Sequence, residues 1–205
     1  MSIGILDYGM ANLRSVQNGF AAVGHEARVI STADEVRHVD RLVLPGVGAF
    51  ADAMETLRRH GLDQAIVRFI EGGKPFLGIC LGLQMLFDTG MEDGEHAGLG
   101  ILRGRCERFT VDTNVPAFKV PHMGWNQLEF RTASPLLRGL EDGCHVYFVH
   151  GYHAVATDAS VISTTTTYGR AFVSSVWRDN IVATQFHPEK SQKIGLAMLN
   201  NFAEM

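Results

Sequence analysis

The stretch KPFLGICLGLQMLF, residues 74–87, decides how the chain is arranged. Residues 76–79 are a short apolar run typical of a buried strand, and apolar residues at helical spacing follow over residues 81–87. Between them lies the pattern Gly-x-Cys-x-Gly, with Cys80 at its centre. This pattern predicts a sharp strand-to-helix turn that pushes the cysteine side chain out above a sheet.

The two glycines of this pattern, Gly78 and Gly82, make such a turn sterically possible, because a Cβ there would collide with the neighbouring strand or helix. The turn would also place the Cys80 thiol at a helix N-terminus, where the helix dipole favours the thiolate. The amide of Leu81 would point toward an oxyanion formed at the thiol. We therefore predict a nucleophilic cysteine. The alternative is a buried structural cysteine in an ordinary strand–turn–helix unit.

The composition is that of an ordinary soluble globular protein. The chain has 205 residues, of which 46% are hydrophobic and 20% are charged, and α/β folds of this length need not split. We therefore expect a single domain over residues 1–205. The net charge of −4 gives no electrostatic footprint for nucleic acid, and no apolar run is long enough to predict a membrane span.

Cysteine usage indicates a reducing compartment. The three cysteines are odd in number and widely spaced, and no C-x-x-C pair suggests a zinc ribbon or a redox dithiol. The first residues lack the basic and apolar regions of a signal peptide. We expect a cytoplasmic protein.

The first part of the chain alternates between strand and helix patterns. Strands are predicted over residues 3–6, 27–30, 41–44 and 76–79. Helices are predicted over residues 12–23, 50–59 and 62–71, with a short connector of weak helical pattern over residues 31–39. This alternation predicts an α/β fold: a doubly wound, mostly parallel sheet flanked by helices.

Gly46 and Gly48 follow directly on the third predicted strand. Ligands of such sheets bind outside the carboxyl ends of the strands, and a Gly-x-Gly there can aim bare backbone amides at them. The pattern is too short for a dinucleotide fingerprint, which needs G-x-G-x-x-G. A tight turn without a ligand is the open alternative.

The second half of the chain has a different character. Residues 88–100 are rich in Gly, Asp and Glu, which predicts a surface loop. Strand patterns follow over residues 101–111, 125–130, 146–155, 160–167, 172–177 and 181–186, a helical turn is predicted at 136–140, and a last helix over 191–205. We interpret these strands as mixed or antiparallel additions to the same sheet.

A cysteine nucleophile needs a base, and the base needs a group that orients it. Of the nine histidines, His187 stands out because it ends an apolar strand pattern and Pro188 stops that strand. Glu189, two residues on, can reach back to the imidazole and fix its tautomer. The alternative is that these three residues merely cap the strand.

Three segments resemble the motifs of a known protein family. FLGICLGLQ (76–84) and QFHPEKS (185–191) resemble the two signature motifs of class I glutamine amidotransferases, and LPGVG (44–48) resembles their third, glycine-rich segment. Residues 7–9, 120–126 and 147–150 narrow the resemblance to the glutaminase subunits that serve histidine biosynthesis. It extends over residues 3–205, essentially the whole chain.

The resemblance implies that L-glutamine is hydrolysed to glutamate and ammonia through a thioester on Cys80, with His187 and Glu189 handling protons. The Leu81 amide and an amide of Val47 or Gly48 would stabilise the oxyanion. Family positions that help to hold the substrate correspond to Gly46, Gln84 and His150. Family positions near the partner subunit correspond to Asn12, Trp125, Tyr147 and Lys190.

The resemblance further implies a heterodimer with a cyclase subunit of (β/α)₈ barrel fold, which receives the ammonia. It implies no metal and no organic cofactor. The sequence departs from the family where residues 9–12 read GMAN and where Gly151 replaces a common hydroxyl residue. The alternatives are a glutaminase subunit for vitamin B6 or tryptophan synthesis, a cysteine peptidase or other cysteine hydrolase of the same fold, and a non-catalytic binding module.

Overall fold

The computed structural model describes residues 1–110 and 119–205. The strands in these ranges are β1 (Ile3–Leu6), β2 (Ala27–Ile30), β3 (Arg41–Gly46), β4 (Phe76–Cys80), β5 (Phe87–Gly90), β6 (His96–Ala97), β7 (Leu102–Arg108), β8 (His122–Gln127), β9 (Glu129–Phe130), β10 (His145–His150), β11 (Tyr152–Ala156), β12 (Ile162–Tyr168), β13 (Arg170–Arg178) and β14 (Ile181–Thr184). The helices are α1 (Leu13–Ala22), α2 (Ala33–Arg37), α3 (Phe50–Arg59), α4 (Leu62–Glu71), α5 (Leu81–Gln84) and α6 (Gln192–Ala203). Short 3₁₀ turns lie at Pro135–Leu137, Ala159–Val161 and Pro188–Lys190.

Eight strands form the central sheet, in the order β2-β1-β3-β4-β14-β13-β12-β9. The first five strands in this order run parallel to their neighbours, and the remaining three are joined by antiparallel pairings. Strands β1, β3 and β4 are buried along their whole length, as expected where helices cover both faces of a parallel sheet. The predicted fold class is confirmed.

Amphipathic helices cover the two faces of this sheet. Val16 and Phe20 of α1 and Met198 and Phe202 of α6 bury their side chains in the core on one face. Helices α2, α3 and α4 contribute their apolar sides to the core on the other face. Helix α1 begins where predicted, because the Asn12 side chain accepts a hydrogen bond from the Ser15 amide and caps the helix.

The register of the central strands brings the predicted site residues to one edge. At the carboxyl end of β3, Gly46 pairs with Cys80 at the carboxyl end of β4. Strand β14 lies on the other side of β4, with Thr184 paired to Ile79, and the chain continues from there to His187. The glycine-rich turn, the cysteine and the histidine therefore converge at the edge where ligands of parallel sheets bind.

The second half of the chain does not add all its strands to this sheet, contrary to our expectation. Strands β8 and β10 form a separate two-stranded ribbon, and β11, β7, β5 and β6 form a four-stranded sheet. The single strand predicted over residues 146–155 is wrong, because it divides at Gly151 into β10 and β11, which pair in different sheets. The strand predicted over residues 125–130 likewise divides into β8 and β9.

Residues 81–100 differ from the prediction in two ways. Helix α5 ends at Gln84 and not at residue 87, because Phe87 already begins β5. The predicted surface loop over residues 88–100 contains the rest of β5 and all of β6. A carboxylate oxygen of Asp88 accepts a hydrogen bond from the Gly104 amide at 2.9 Å, which ties this segment to β7.

The remaining predicted elements are found with small shifts at their ends. The strand predicted over residues 101–111 is β7, and its last predicted residue, 111, lies outside the described residues. The turn predicted at 136–140 is the 3₁₀ turn at Pro135–Leu137. In the described ranges, the helices are all too short or too polar to cross a membrane.

Candidate active site

Cys80 sits in a strained backbone turn at the end of β4. Its φ of 55° and ψ of −106° lie in a region that residues with a side chain rarely adopt. A Cβ on Gly78 would lie 2.7 Å from the carbonyl oxygen of Gly82, and a Cβ on Gly82 would collide with the carbonyl oxygen of Leu44. The two glycines are therefore needed for the turn, as the sequence predicted.

The helix after Cys80 is shorter than predicted. Helix α5 has four residues, so few peptide dipoles are aligned behind the thiol. The expected help from a helix dipole is correspondingly small. Cys80 is one of the groups that raise the pKa of His187, so the sulfur and the imidazole interact electrostatically.

His187 and Glu189 form a buried ion pair beside the cysteine. The side chains are 3% and 2% exposed, and His187 Nδ1 lies 2.7 Å from a carboxylate oxygen of Glu189. Since the carboxylate can only accept, Nδ1 carries the proton and Nε2 is left for Cys80. In the described ranges Nε2 has no hydrogen-bond partner. Burial lowers the pKa of His187, but Cys80 and Glu189 outweigh it and raise the pKa to about 10.

Ser191 holds the histidine in place, a role that the sequence analysis missed. Its hydroxyl is fully buried, donates to the His187 carbonyl at 2.6 Å and accepts from the Tyr147 amide at 3.0 Å. The His187 amide in turn donates to the Tyr147 carbonyl at 2.9 Å. These contacts join strand β10 to the 3₁₀ turn next to His187. The motif around residues 185–191 was a signal for this contact, but no pattern revealed its geometry.

A cavity of about 320 Å³ opens over the cysteine. Seven of the predicted site residues line it: Cys80, Leu81, His187, Val47, Gly48, Gln84 and His150. The other lining residues are Glu92, Val149, Gly151 and Tyr152. Glu189 lies behind His187, outside this lining.

The two candidate oxyanion amides near the glycine turn differ in availability. The Val47 amide donates to the Met10 carbonyl at 2.9 Å, so it is already engaged. Gly48 has a φ of 99°, a conformation that favours glycine, and it lines the cavity. Gly46 lies just below, and a Cβ there would collide with the Tyr8 hydroxyl. A side chain at Gly46 would therefore displace the turn.

Gln84 and His150 use their polar atoms within the protein. The Gln84 side-chain nitrogen donates to the Tyr152 carbonyl and to the Gln185 side-chain oxygen, each at 3.1 Å. His150 Nδ1 lies 2.8 Å from the Tyr152 carbonyl and its Nε2 lies 3.0 Å from His122. The two residues therefore shape the cavity wall, and neither nitrogen of the His150 ring is free.

Glu92 is a cavity residue that the sequence analysis did not single out. One oxygen of its carboxylate accepts a hydrogen bond from the Phe50 amide at 2.8 Å, at the start of α3. This contact holds the acidic group in the lining of the cavity. Its position within a segment rich in acidic residues gave no local signal.

The four residues predicted at a partner interface lie at or near the surface. Asn12 and Lys190 are exposed, Trp125 is 46% exposed and Tyr147 is half-buried. Trp125 and Tyr147 are opposite each other in the β8–β10 ribbon, with ring centroids 6.0 Å apart. Trp125 is therefore not a core residue. Among the described residues, no three metal-ligating side chains converge.

Known proteins match this chain over nearly its whole length. The family model described as "Glutamine amidotransferase class-I" matches residues 4–205. A protein of Syntrophotalea carbinolica described as imidazole glycerol phosphate synthase subunit HisH is 54% identical over 203 residues, covering 98% of each chain. A protein of Aquifex aeolicus with the same description is 55% identical over 199 residues, covering 97% of this chain and 94% of its own.

Solved structures share the fold at much lower identity. The structure described as PurLQS from Thermotoga maritima superposes with a TM-score of 0.76 at 17% identity, covering 99% of this chain and 97% of that one. At this identity the likeness concerns the fold alone. It agrees with the mixed α/β architecture and its mostly parallel sheet.

Proposed function

The chain belongs to the class-I glutamine amidotransferase family, and on that premise we propose that it is the glutaminase subunit of an imidazole glycerol phosphate synthase. It hydrolyses L-glutamine to glutamate and ammonia and supplies the ammonia to a cyclase subunit in histidine biosynthesis. One observation carries the chemistry: a strained cysteine and a buried His–Glu pair meet at a cavity. High identity to proteins described as that synthase subunit supports the biological role.

Catalysis begins at Cys80. Its thiolate attacks the side-chain amide carbon of glutamine and forms a tetrahedral intermediate, whose collapse leaves a glutamyl thioester. Protonated His187 gives its Nε2 proton to the departing nitrogen, which leaves as ammonia. The now neutral imidazole takes a proton from water, which attacks the thioester carbonyl and releases glutamate and the thiolate. Glu189 keeps the ring in the required tautomer throughout.

The oxyanion of both tetrahedral intermediates needs hydrogen-bond donors at the turn. The amide of Leu81, the residue after the nucleophile, is one donor, as in other elbows of this kind. Gly48 supplies the second amide, since it lines the cavity while the Val47 amide donates to Met10. A role for the Val47 amide would require that this hydrogen bond first be broken.

Glu92 gives the cavity a preference for glutamine. Glutamine carries a positive α-ammonium group at the end remote from the reacting amide. Among the described residues, Glu92 is the one carboxylate in the cavity lining, so it is the group that binds the ammonium. The Phe50 amide holds the carboxylate in position for this contact. Gly46, Gln84 and His150 act on the substrate by shaping the turn and the wall.

The partner docks on the face that carries Trp125 and Tyr147. Ammonia released into bulk water would be protonated and diluted, so a covering partner improves its transfer. Large aromatic residues at a surface are typical anchors of such interfaces. Asn12 and Lys190 complete this face, and the partner is a (β/α)₈-barrel cyclase with which residues 1–205 pair as a single domain. Neither nucleic acid nor a membrane takes part, and the unpaired cysteines support a cytoplasmic location.

Glutamate release in the presence and absence of the cyclase subunit tests the function. We expect glutamine turnover that rises when the cyclase is added, and formation of imidazole glycerol phosphate from glutamine by the mixture. If glutamine turnover does not change with this cyclase but rises with the partner subunit of another synthase, the chain belongs to a different amidotransferase. Absence of turnover under all conditions would favour a non-catalytic module.

Trp125→Ala, compared with Trp177→Ala, tests the docking face. Trp177 is partly buried in β13, and its indole donates to the Asp179 carbonyl. We expect Trp125→Ala to weaken cyclase binding by about 1–3 kcal/mol, measured by calorimetric titration. We expect Trp177→Ala to leave binding unchanged. Equal binding by Trp125→Ala and the unmodified chain would contradict the assignment of this face.

A further inference from the structure

A row of hydrogen bonds crosses the wall of the cavity from strand β8. We call it the histidine bridge, made of Asn126, His122, His150 and the backbone carbonyl of Tyr152. Asn126 Nδ2 lies 3.4 Å from His122 Nε2, and His122 Nδ1 lies 3.0 Å from His150 Nε2. His150 Nδ1 lies 2.8 Å from the Tyr152 carbonyl oxygen. His122 and His150 are paired across β8 and β10 and are 2% and 5% exposed.

Backbone groups at both ends fix the direction of this row. The Tyr152 carbonyl can only accept, so His150 donates from Nδ1 and its Nε2 accepts from His122. At the other end the Asn126 side chain is oriented by two contacts: its oxygen accepts from the Gln127 amide at 2.8 Å, and its nitrogen donates to the Thr167 carbonyl at 3.0 Å. The nitrogen therefore also faces His122 Nε2 as a donor.

Both rings are consequently neutral and carry their proton on Nδ1. Burial agrees with this state, since it lowers the pKa of His122 to about 4 and is the main cause that lowers the pKa of His150 to about 3. His122 is also clamped between aromatic rings, with centroids 4.0 Å from Tyr168 and 4.8 Å from Phe148. The donor that His122 presents to His150 is thus fixed in direction.

The row continues from the Tyr152 carbonyl to the nucleophile. Gln84 donates to the same carbonyl at 3.1 Å and to the Gln185 side-chain oxygen at 3.1 Å. The Gln185 side-chain nitrogen lies 3.7 Å from Cys80 Sγ. Gln185 is fully buried, so its two contacts orient it without competition from solvent. A shift of the Tyr152 carbonyl would therefore move Gln84 and Gln185 and change the contact that Gln185 makes with the Cys80 sulfur.

We infer that His122 is a positioning residue of the glutaminase site. It holds His150 directly. Through the Tyr152 carbonyl, Gln84 and Gln185, it also positions the Cys80 thiol. This inference rests on the proposed function. His122 contacts no reacting atom; it acts by fixing the wall against which glutamine lies. Loss of the His122 donor leaves the His150 Nε2 buried and unpaired, so the ring and the wall rearrange.

Two substitutions at His122 distinguish the effect of losing its hydrogen-bond donor from the effect of changing its side-chain volume. His122→Phe keeps a flat ring between Tyr168 and Phe148 but removes the donor, while His122→Asn restores a donor near the Nδ1 position. With the cyclase complex, we expect His122→Phe to lower kcat for glutamine about tenfold or more, since small misplacements of reacting groups are costly. We expect KM to change less than about threefold, and His122→Asn to recover most of the kcat.

His153→Phe is the matched control. His153 is 3% exposed and packs with its ring 5.1 Å from Phe109, but it lies outside the histidine bridge. We expect it to lower the melting temperature and leave kcat unchanged. A folded His122→Phe complex with unchanged kcat would overturn the inference. So would a His122→Asn complex whose kcat is as low as that of His122→Phe. A wild-type complex without glutamate release would instead overturn the proposed function.

The tautomers of His122 and His150 can be determined without any activity measurement. Two-bond nitrogen–proton correlation spectra of ¹⁵N-histidine-labelled wild-type protein at neutral pH should show His122 and His150 as neutral rings protonated at Nδ1. In His122→Phe, the His150 signals should shift because its Nε2 partner is gone. An Nε2-protonated ring at either position in the wild type would overturn the inference, even if the enzyme hydrolyses glutamine.

Discussion

Two buried thiols are linked to Gln84 by hydrogen bonds, one directly and one through Gln185, and their surroundings differ sharply. Cys80 is 7% exposed at the end of β4, and Cys106 is 1% exposed within β7. The Cys106 thiol donates to the Gln84 backbone carbonyl at 3.4 Å. The Gln84 side chain donates to the Gln185 side-chain oxygen, and the Gln185 side-chain nitrogen lies 3.7 Å from the Cys80 sulfur.

Burial alone therefore does not make a cysteine reactive. Cys106 lies in regular strand backbone, and burial raises the pKa of its thiol well above the usual range, which keeps it protonated. Cys80 has a strained backbone with a φ of 55° and interacts with a histidine that a carboxylate orients. A histidine and a strained turn therefore distinguish Cys80, the proposed nucleophile, from Cys106, and each can be removed separately.

The largest effect is expected from removal of the nucleophile itself. Cys80→Ala should lower glutamine hydrolysis on the order of 10⁴-fold or more, since the nucleophile and its base act as a unit. The fold should survive, and the complex should still use ammonium salts, since the cyclase reaction needs no thiol. Assays of glutamate release and of ammonium-dependent cyclisation measure both. Glutamine turnover at the wild-type rate would refute the role of Cys80.

Glu189→Gln tests what the carboxylate contributes. We expect kcat to fall on the order of 10³-fold, because an amide can hold the wrong histidine tautomer. Cys80 and Glu189 both raise the pKa of His187 toward about 10, and His187 must be protonated to release ammonia. The alkaline limb of the rate profile should therefore move to lower pH in Glu189→Gln. An unmoved limb would show that Glu189 does not set the protonation of the base.

The same substitution makes a stability prediction with a defined sign. The pKa of His187 is higher in the folded state than in the unfolded chain, where it is about 6.5. Its contribution to the free energy of unfolding is therefore complete below pH 6.5 and is lost as pH rises through about 10. Chemical denaturation should therefore show Glu189→Gln to be more destabilising at pH 6 than above pH 10. The reverse order would contradict the ion pair.

Gly82→Ala tests the turn. The added Cβ would collide with the Leu44 carbonyl oxygen in β3, so β3 and α5 must move apart and the thiol must shift. We expect kcat to fall on the order of 10²-fold, as for reacting groups misplaced by about 1 Å. Gly72→Ala is the control, because its Cβ would meet helix carbonyl oxygens at 3.3 Å, away from the cavity. Equal rates for Gly82→Ala and the control would mean that the turn does not position the thiol.

The smallest effect is expected at the other thiol. Cys106→Ala should leave kcat unchanged and cost about 1–2 kcal/mol of the free energy of unfolding, because a fully buried side chain leaves a cavity. Denaturant unfolding and glutamate release measure the two quantities. A folded Cys106→Ala protein without activity would reverse the comparison between the two cysteines.

The sequence predicted the sheet well where local pattern and final structure coincide. Strands β1 and β2 and helices α3 and α4 have the predicted bounds. Strand β1 is apolar throughout, and the two helices are amphipathic between turn signals. The helix prediction is wrong over residues 85–87, because Leu83, Met85, Leu86 and Phe87 are all fully buried. With apolar residues on every side, periodicity cannot tell a helix from a strand. The division at Gly151 depends on pairing with distant strands.

The candidate site shows the same limit. Cys80, His187 and Glu189 stand in compact motifs whose chemistry can be read from residue types and spacing. Glu92 and His122 could not be found this way. Their positions depend on the Phe50 amide at the start of α3 and on the pairing of β8 with β10, which are long-range contacts. The engaged Val47 amide likewise depends on the Met10 carbonyl in another loop.

The central claim, that Cys80 alone attacks glutamine, can be tested by covalent labelling. The cyclase complex would be treated with a glutamine analogue that carries a diazoketone in place of the side-chain amide, and the digested protein would be mapped by mass spectrometry. We predict one adduct per chain, on the peptide that contains Cys80, and protection by excess glutamine. An adduct on Cys106 or Cys144, or an unlabelled Cys80 in a protein that has lost its activity to the reagent, would contradict the account.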